Sequence, residues 1–268
     1  HDSASQLLFA GLRFTLAGML VIVGMSVAQR RPLVPQTRDI KPICILSLFQ
    51  TIGQYFFFYL GLSRASAMSS SIIEASANFL AILFAALAFH TEKLNTAKVL
   101  GCALGFAGVA LVNLSGADGT FGFRLDGEGF ILASTVAGAL STCLIGIFSR
   151  KHDGVLLAGW QFLVGGLVLT AIGFLMGGTL SPTTIAPAIA LIIYMALISA
   201  VAYSLWSRLL AVNPVSRVSV FGFMNPVFGV VLSALLLGEG AGTSPITVIV
   251  ALLLVCGGII IVNKPKKA

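Results

Sequence analysis

The chain has 268 residues, 57% of them hydrophobic and only 9% charged, with a formal net charge of +7. A soluble domain carries roughly 25% charged residues, and so few charges cannot cover a water-facing surface. Together with a mean hydropathy of +1.02, this excludes a soluble globular enzyme, a disordered chain and a secreted disulfide scaffold.

A helix that crosses a membrane needs about 20 mostly apolar residues. Nine such runs follow along the chain: α1 at 5–28, α2 at 42–64, α3 at 67–90, α4 at 96–114, α5 at 127–149, α6 at 155–177, α7 at 187–211, α8 at 214–237 and α9 at 243–262. The runs lack the period-two alternation of barrel strands, so an all-α integral membrane protein is expected. In α1, Arg13 lies about 12 Å from the outer end at 1.5 Å per residue. α2 carries Gln50, Gln54, Tyr55 and Tyr59, each type paired at i, i+4 on one face. α3 opens with Ser69, Ser70 and Ser71 and carries Asn78 and Glu74, the latter about 10 Å deep. α4 holds Gly101, Gly105 and Gly108, a spacing suited to close helix packing. α6 carries Trp160 and Gln161; α7 carries Tyr203, Ser204, Trp206 and Ser207. α8 holds Asn225 and Pro226, and α9 holds Gly257 and Gly258.

Charge placement orients the chain. Taking the nine spans as alternating, 12 of the 16 Lys and Arg residues fall on one side, including Arg30, Arg31, Arg38, Lys41, Arg150, Lys151 and Arg217. Arg64 and Arg124 fall on the other, and Arg13 and Arg208 lie inside spans. The bias puts the C-terminus in the cytoplasm and His1 outside, in a membrane taken to be the bacterial inner membrane. The basic charge is then a topology signal, and no nucleic-acid partner is expected. Cys44, Cys102, Cys143 and Cys256 all lie in apolar runs without a CxxC pair and read as small buried hydrophobes.

The sequence repeats itself. Ala-Gly-Leu-Arg-Phe at 10–14 returns as Ala-Gly-Trp-Gln-Phe at 158–162. Ser69, Asn78 and Glu92 return as Ser216, Asn225 and Glu239, and the Gly-…-Val-Asn ending of α4 returns in α9. α2 and α7 pair by order, with Tyr59 near the register of Trp206. α5 has no partner, and its partner would lie just before His1. The expectation is two inverted five-helix repeats, a ten-helix transporter with its first helix absent from this chain. The repeats would span 1–115 and 126–264. Inverted repeats are the architecture of many secondary transporters.

Asn225-Pro226-Val227, then Leu-Leu-Leu-Gly-Glu at 235–239, then the Gly257-Gly258 pair, with the run around Arg13, resembles the EamA family of the drug/metabolite transporter superfamily. The resemblance covers both repeats. It implies ten helices, cytoplasmic termini and export or exchange of small metabolites, with an amino acid as the first guess. This chain departs from it at Asn78-Phe79, where the second repeat has Asn-Pro, and many members carry glutamate where Asn78 and Asn225 stand.

An ionisable side chain within a span is costly and marks function by default. Arg13 and Glu74 form the opposite-charge pair at matching depth and are expected to interact at one cavity, unless they only brace the fold. Pro226 removes a helix hydrogen bond and can open a cavity wall or merely kink a packed helix. With Asn78, Asn225, Gln54, Tyr55, Tyr59, Tyr203, Trp206, Trp160 and Gln161, these form the candidate substrate-binding or coupling set. Each polar residue taken alone is better explained as helix–helix glue or an interface aromatic, and only the set points to binding. The central cavity is expected mainly from α2, α3, α7 and α8.

No P-loop, HExxH or GxSxG occurs, so no catalytic residue, metal site or cofactor is expected. The expected partners are a small-molecule substrate and the lipid bilayer, and a homodimer through the glycine-rich helices is an open option. His152 is read as a solvated loop residue, and Glu92 as solvated or capping. Two alternatives stay open: a polytopic membrane enzyme on a lipid-linked substrate, and a nucleotide-sugar-type transporter, whose cavity would need cations.

Overall fold

The computed structural model describes residues 3–65, 67–115, 124–180, 184–228, 232 and 245–264, all helix or short link. Seven helices are long and apolar enough to cross a membrane: Ser3–Gln29, Thr37–Leu62, Ser69–Ala88, Glu128–Phe148, Gly154–Leu175, Ile185–Val212 and Ile246–Asn263. They are α1, α2, α3, α5, α6, α7 and α9. α4 spans Thr96–Ser115 with a shorter apolar stretch, Thr96–Leu111. The motif at 235–239, with Glu239, lies outside the described residues.

Three helices depart from the uniform spans expected: α3 ends in a π-helix over Phe84–Ala88, and α2 and α8 change within their length. α2 runs as an α-helix over Thr37–Leu46, widens to a π-helix over Ser47–Gly53 and resumes over Gln54–Leu62. Such wide turns are frequent at functional sites. α8 is α-helical only over Val215–Ser219, tightens to a 3-10 turn over Val220–Phe223 and is helical again over 224–228. Pro226 has no N–H for the carbonyl four residues back, at Gly222. The break therefore falls in the turn before the proline.

Lipid tails are as apolar as leucine, so helices associate here by close contact. α1 and α6 lie antiparallel at backbone distance. A methyl on Gly11 would sit 2.3 Å from the Thr170 nitrogen, and one on Gly166 would sit 2.4 Å from the Thr15 nitrogen. α4 and α9 pair likewise, with Gly101 against Gly258 and Val262, and Gly108 against Ala251 and Val255. The small-residue stripe of α4 is thus spent inside the chain, and a homodimer would have to use other faces. Cys102 and Cys143 are buried as expected, whereas Cys44 and Cys256 face outward.

The links that carry the basic residues meet at one end of the bundle. There Asp39, only 6% exposed, takes a 2.6 Å contact from the His152 ring and accepts the Gln36 N–H. His152 is therefore a tie between two links and not the solvated residue expected. Glu92 caps: its carboxylate accepts the Ser216 N–H at 2.9 Å and the Ser216 hydroxyl, and it pairs with Lys98. It does so from a buried position, so the solvated alternative falls. A donor pair at the start of α8 and a cation on α4 together hold that carboxylate out of water.

Candidate functional site

A cavity of about 360 Å³ lies at the middle of the bundle, lined by Gln50 and Gln54 from α2, Asn78 from α3, Tyr203 and Trp206 from α7, and Gly222 and Asn225 from α8. α5 closes it with Gly138, Ser141 and Thr142. The wall therefore includes a fifth helix beyond the four expected. The π turn in α2 separates two jobs. Ser47 and Thr51 bind α6, Thr51 donating to the Gln161 side chain at 2.7 Å. Gln50 and Gln54 turn to the cavity. The break in α8 sets Asn225 beside Gly222, where a methyl would lie 2.1 Å from the Asn78 amide oxygen. A methyl there would displace the Asn78 amide, and the crossing of α3 and α8 brings the two recurring asparagines to one wall. Amides supply both donors and acceptors, and Trp206 and Tyr203 add apolar faces.

Tyr55 and Tyr203, 148 residues apart, hydrogen-bond through their hydroxyls at 2.9 Å. Phe14 stacks on Phe162 with ring centroids 5.0 Å apart, and the rings of Tyr55 and Tyr203 pack against them at 4.4 and 4.8 Å. Tyr59 extends the cluster, 6.3 Å from Tyr55. Arg13 lays its guanidinium carbon 4.3 Å from the Phe14 ring centroid and 5.6 Å from that of Tyr55, a cation–π arrangement. Arg13 and Glu74 both lie within electrostatic reach of Tyr55, Tyr59 and Tyr203. They do not form the direct pair expected: the four ion pairs among the described residues join Asp39 to Arg38 and His152, Glu92 to Lys98, and Asp126 to Arg124. The aromatic faces hold the guanidinium instead.

Of the candidate residues, Gln54, Asn78, Tyr203, Trp206 and Asn225 line the cavity, Tyr55 joins it through Tyr203, and Pro226 adjoins it through Asn225. Arg13, Tyr59 and Glu74 belong to the neighbouring cluster. Trp160 stands apart, its indole N–H donating to the Leu33 carbonyl at 2.8 Å, and Gln161 is wholly buried against Thr51. Ser141 and Thr142 escaped the sequence reading. Both hydroxyls donate to the Gly138 carbonyl of their own helix, at 2.8 and 3.0 Å. Hydroxyls in a span commonly satisfy themselves this way, so only their position inside α5 hinted at a cavity.

A family model described as the EamA-like transporter family matches residues 2–114 and 125–264. The uncharacterized transporter YvbV of Bacillus subtilis is 26% identical over 269 residues, covering 98% of this chain and 84% of that protein. A protein of Salmonella typhimurium named a probable amino-acid metabolite efflux pump is 28% identical over 252 residues, covering 87% of this chain and 78% of that protein. A crystal structure of another protein superposes with a TM-score of 0.80 at 21% identity, over 98% of this chain and 91% of that one. At that identity the likeness speaks for the fold.

Proposed function

The chain belongs to the EamA-like transporter family, a family of transporters and not of enzymes, and we propose that it exports or exchanges a small polar or amphipathic metabolite by alternating access. An amino acid is the first candidate solute, a choice supported by distant relatives named as amino-acid metabolite efflux pumps. The observation that carries the reading is the amide-lined cavity at mid-bundle. Four side-chain amides face about 360 Å³, near the lower end of small-molecule sites. None of the described lining residues is Lys or Arg, which favours a neutral or zwitterionic solute over a nucleotide sugar.

The mechanism rests on two inverted repeats, 1–115 and 126–264, rocking about that cavity. Its support is that related elements meet: Tyr55 with Tyr203, α1 with α6 through the reciprocal contacts of Gly11 with Gly166 and of Gly18 with Gly159, and α4 with α9. Helices related by an in-plane twofold run antiparallel where they meet, as inverted repeats require. The C-terminus is cytoplasmic in this reading, in a bacterial inner membrane. Glu74 is the group we assign to coupling, because it is an intramembrane carboxyl outside every ion pair found among the described residues.

Radiolabelled flux in proteoliposomes tests both parts. Amino-acid flux above empty vesicles is expected, accelerated by an imposed pH gradient. Glu74→Gln is expected to abolish the acceleration while basal exchange persists. Absence of flux for any amino acid sinks the solute assignment; an unchanged pH response in Glu74→Gln removes the coupling role.

A further inference from the structure

Two contacts frame the central cavity. One is the crossing of α3 and α8, where the Asn78 amide lies on Gly222. The other is the hydrogen bond of Tyr55 on α2 with Tyr203 on α7. The polar groups beside these contacts differ in kind.

The α3–α8 corner presents oxygens. Gly222 has no side chain, so it lines the cavity with its backbone. Its carbonyl lacks the N–H that residue 226 would donate in a regular helix, because that residue is proline. The carbonyl keeps a lone pair for a ligand, and in secondary transporters the unwound carbonyls of broken helices hold cations near the midplane. Among the Asn78 amide atoms the oxygen comes closest, 2.1 Å from a methyl placed on Gly222. The amide nitrogen turns to the Ala75 carbonyl of its own helix at 3.4 Å. Asn225 adds a second amide three residues after Gly222. Beside the α2–α7 contact stand donors. The Trp206 indole N–H can only donate, and Gln50 and Gln54 bring amide N–H groups. Gln50 is only 4% exposed, and no hydrogen bond joins its side chain to another described residue. A buried amide left open in this way is costly unless a ligand fills it.

We propose that the α3–α8 corner seats the primary ammonium group of the transported solute, with the Gly222 carbonyl and the amide oxygens of Asn78 and Asn225 as its acceptors, while the solute's carboxylate points to Gln50, Gln54 and Trp206. The proposal rests on the reading of this cavity as the transport site. An ammonium carries three N–H donors, which three oxygens can satisfy, whereas a hard metal cation takes about six oxygens. None of the described lining residues is Asp or Glu, so dipoles alone hold the ammonium, a grip weak enough to release it. Pro226 is a positioning residue here: it keeps the Gly222 carbonyl open without lining the cavity itself.

Titration calorimetry of the full chain in detergent tests it. The primary amino acids and two primary amines, isopentylamine and phenethylamine, are titrated. The tightest binder is then compared with its N,N,N-trimethyl derivative, which keeps the charge but has no N–H. The derivative should bind about tenfold more weakly or worse. Pro226→Ala returns an N–H to the Gly222 carbonyl and should cut that ratio about threefold, without lowering the melting temperature. Asn78→Asp should tighten the binder about tenfold, so the test survives if Pro226→Ala misfolds. Binding of an amine but of no amino acid removes the solute assignment and supports the corner. Equal binding of an amino acid and its trimethyl derivative overturns the corner and leaves the transport reading intact. The corner also falls if none of these compounds binds, if folded Pro226→Ala keeps the ratio, if Asn78→Asp does not tighten, or if an equal concentration of Na⁺ displaces the binder.

Discussion

An amide within a membrane span needs partners, and Gln50, Gln54, Asn78 and Asn225 turn theirs toward one shared space. A neutral hydrogen bond nets about 0.5–1.5 kcal/mol. Replacing Gln54 or Asn78 by Ala should therefore raise KM for the transported solute about two- to tenfold, with little change in melting temperature. Trp160 makes the opposite prediction. Its indole N–H is tied to the Leu33 carbonyl across the α1–α2 link, so Trp160→Phe should lower the melting temperature and leave KM unchanged. Parallel kinetics and melting curves on the three variants check both. Sequence listed Gln54, Asn78 and Trp160 as equals, because a polar atom in an apolar run signals a partner without saying whether that partner is solute or backbone.

Among the helices, α8 is held at both ends of its short described stretch. Glu92 satisfies the Ser216 N–H and hydroxyl at its start, and Gly222 permits the crossing with Asn78 near its break. Glu92→Ala strands Lys98, whose side chain is 14% exposed, and leaves the α8 donors open. Breaking a buried pair on one side costs about 3–5 kcal/mol, and partial exposure of Lys98 places the expected loss at the lower end, read as a fall in melting temperature. The α4–α9 pair gives a sharper contrast between neighbours. A methyl on Gly258 would lie 2.4 Å from the Gly101 carbonyl oxygen, whereas one on Gly257 meets nothing within 4 Å. Gly258→Ala should cost about 1–3 kcal/mol through overpacking, while Gly257→Ala should be neutral. Thermal unfolding of the two variants side by side reads the difference. Adjacent glycines look identical in sequence, and only the facing backbone tells them apart.

For the molecule as a whole, the prediction concerns sides. The links bearing Arg30, Arg38, Lys98, Arg150 and Arg217 lie at the end where Asp39 meets His152 and Glu92 meets Ser216. By the positive-inside rule that end should face the cytoplasm. A green fluorescent protein fused after Ala268 should fluoresce, and alkaline phosphatase at the same place should be inactive. The reverse pattern would invert every statement here about which end faces which compartment.

The membrane class, the succession of helices and their basic side were legible from the chain alone. Apolar run length and Lys/Arg placement are one-dimensional properties, set by what the bilayer accepts. Recurring residues were legible as well, such as Asn78 and Asn225, 147 residues apart. The way those recurrences meet was not. Tyr55 finds Tyr203 and not the Tyr59–Trp206 pairing of equal register, Arg13 turns to the Phe14 ring and not to Glu74, and α5 supplies a cavity wall with hydroxyls that bond to their own helix. Each outcome depends on how a helix is rotated about its axis, and that rotation comes from close contacts such as the backbone contacts at Gly11 and Gly166 and the Asn78 side chain against Gly222. A sequence records which small residues are available for such contacts, but only the folded bundle decides which neighbour each one admits.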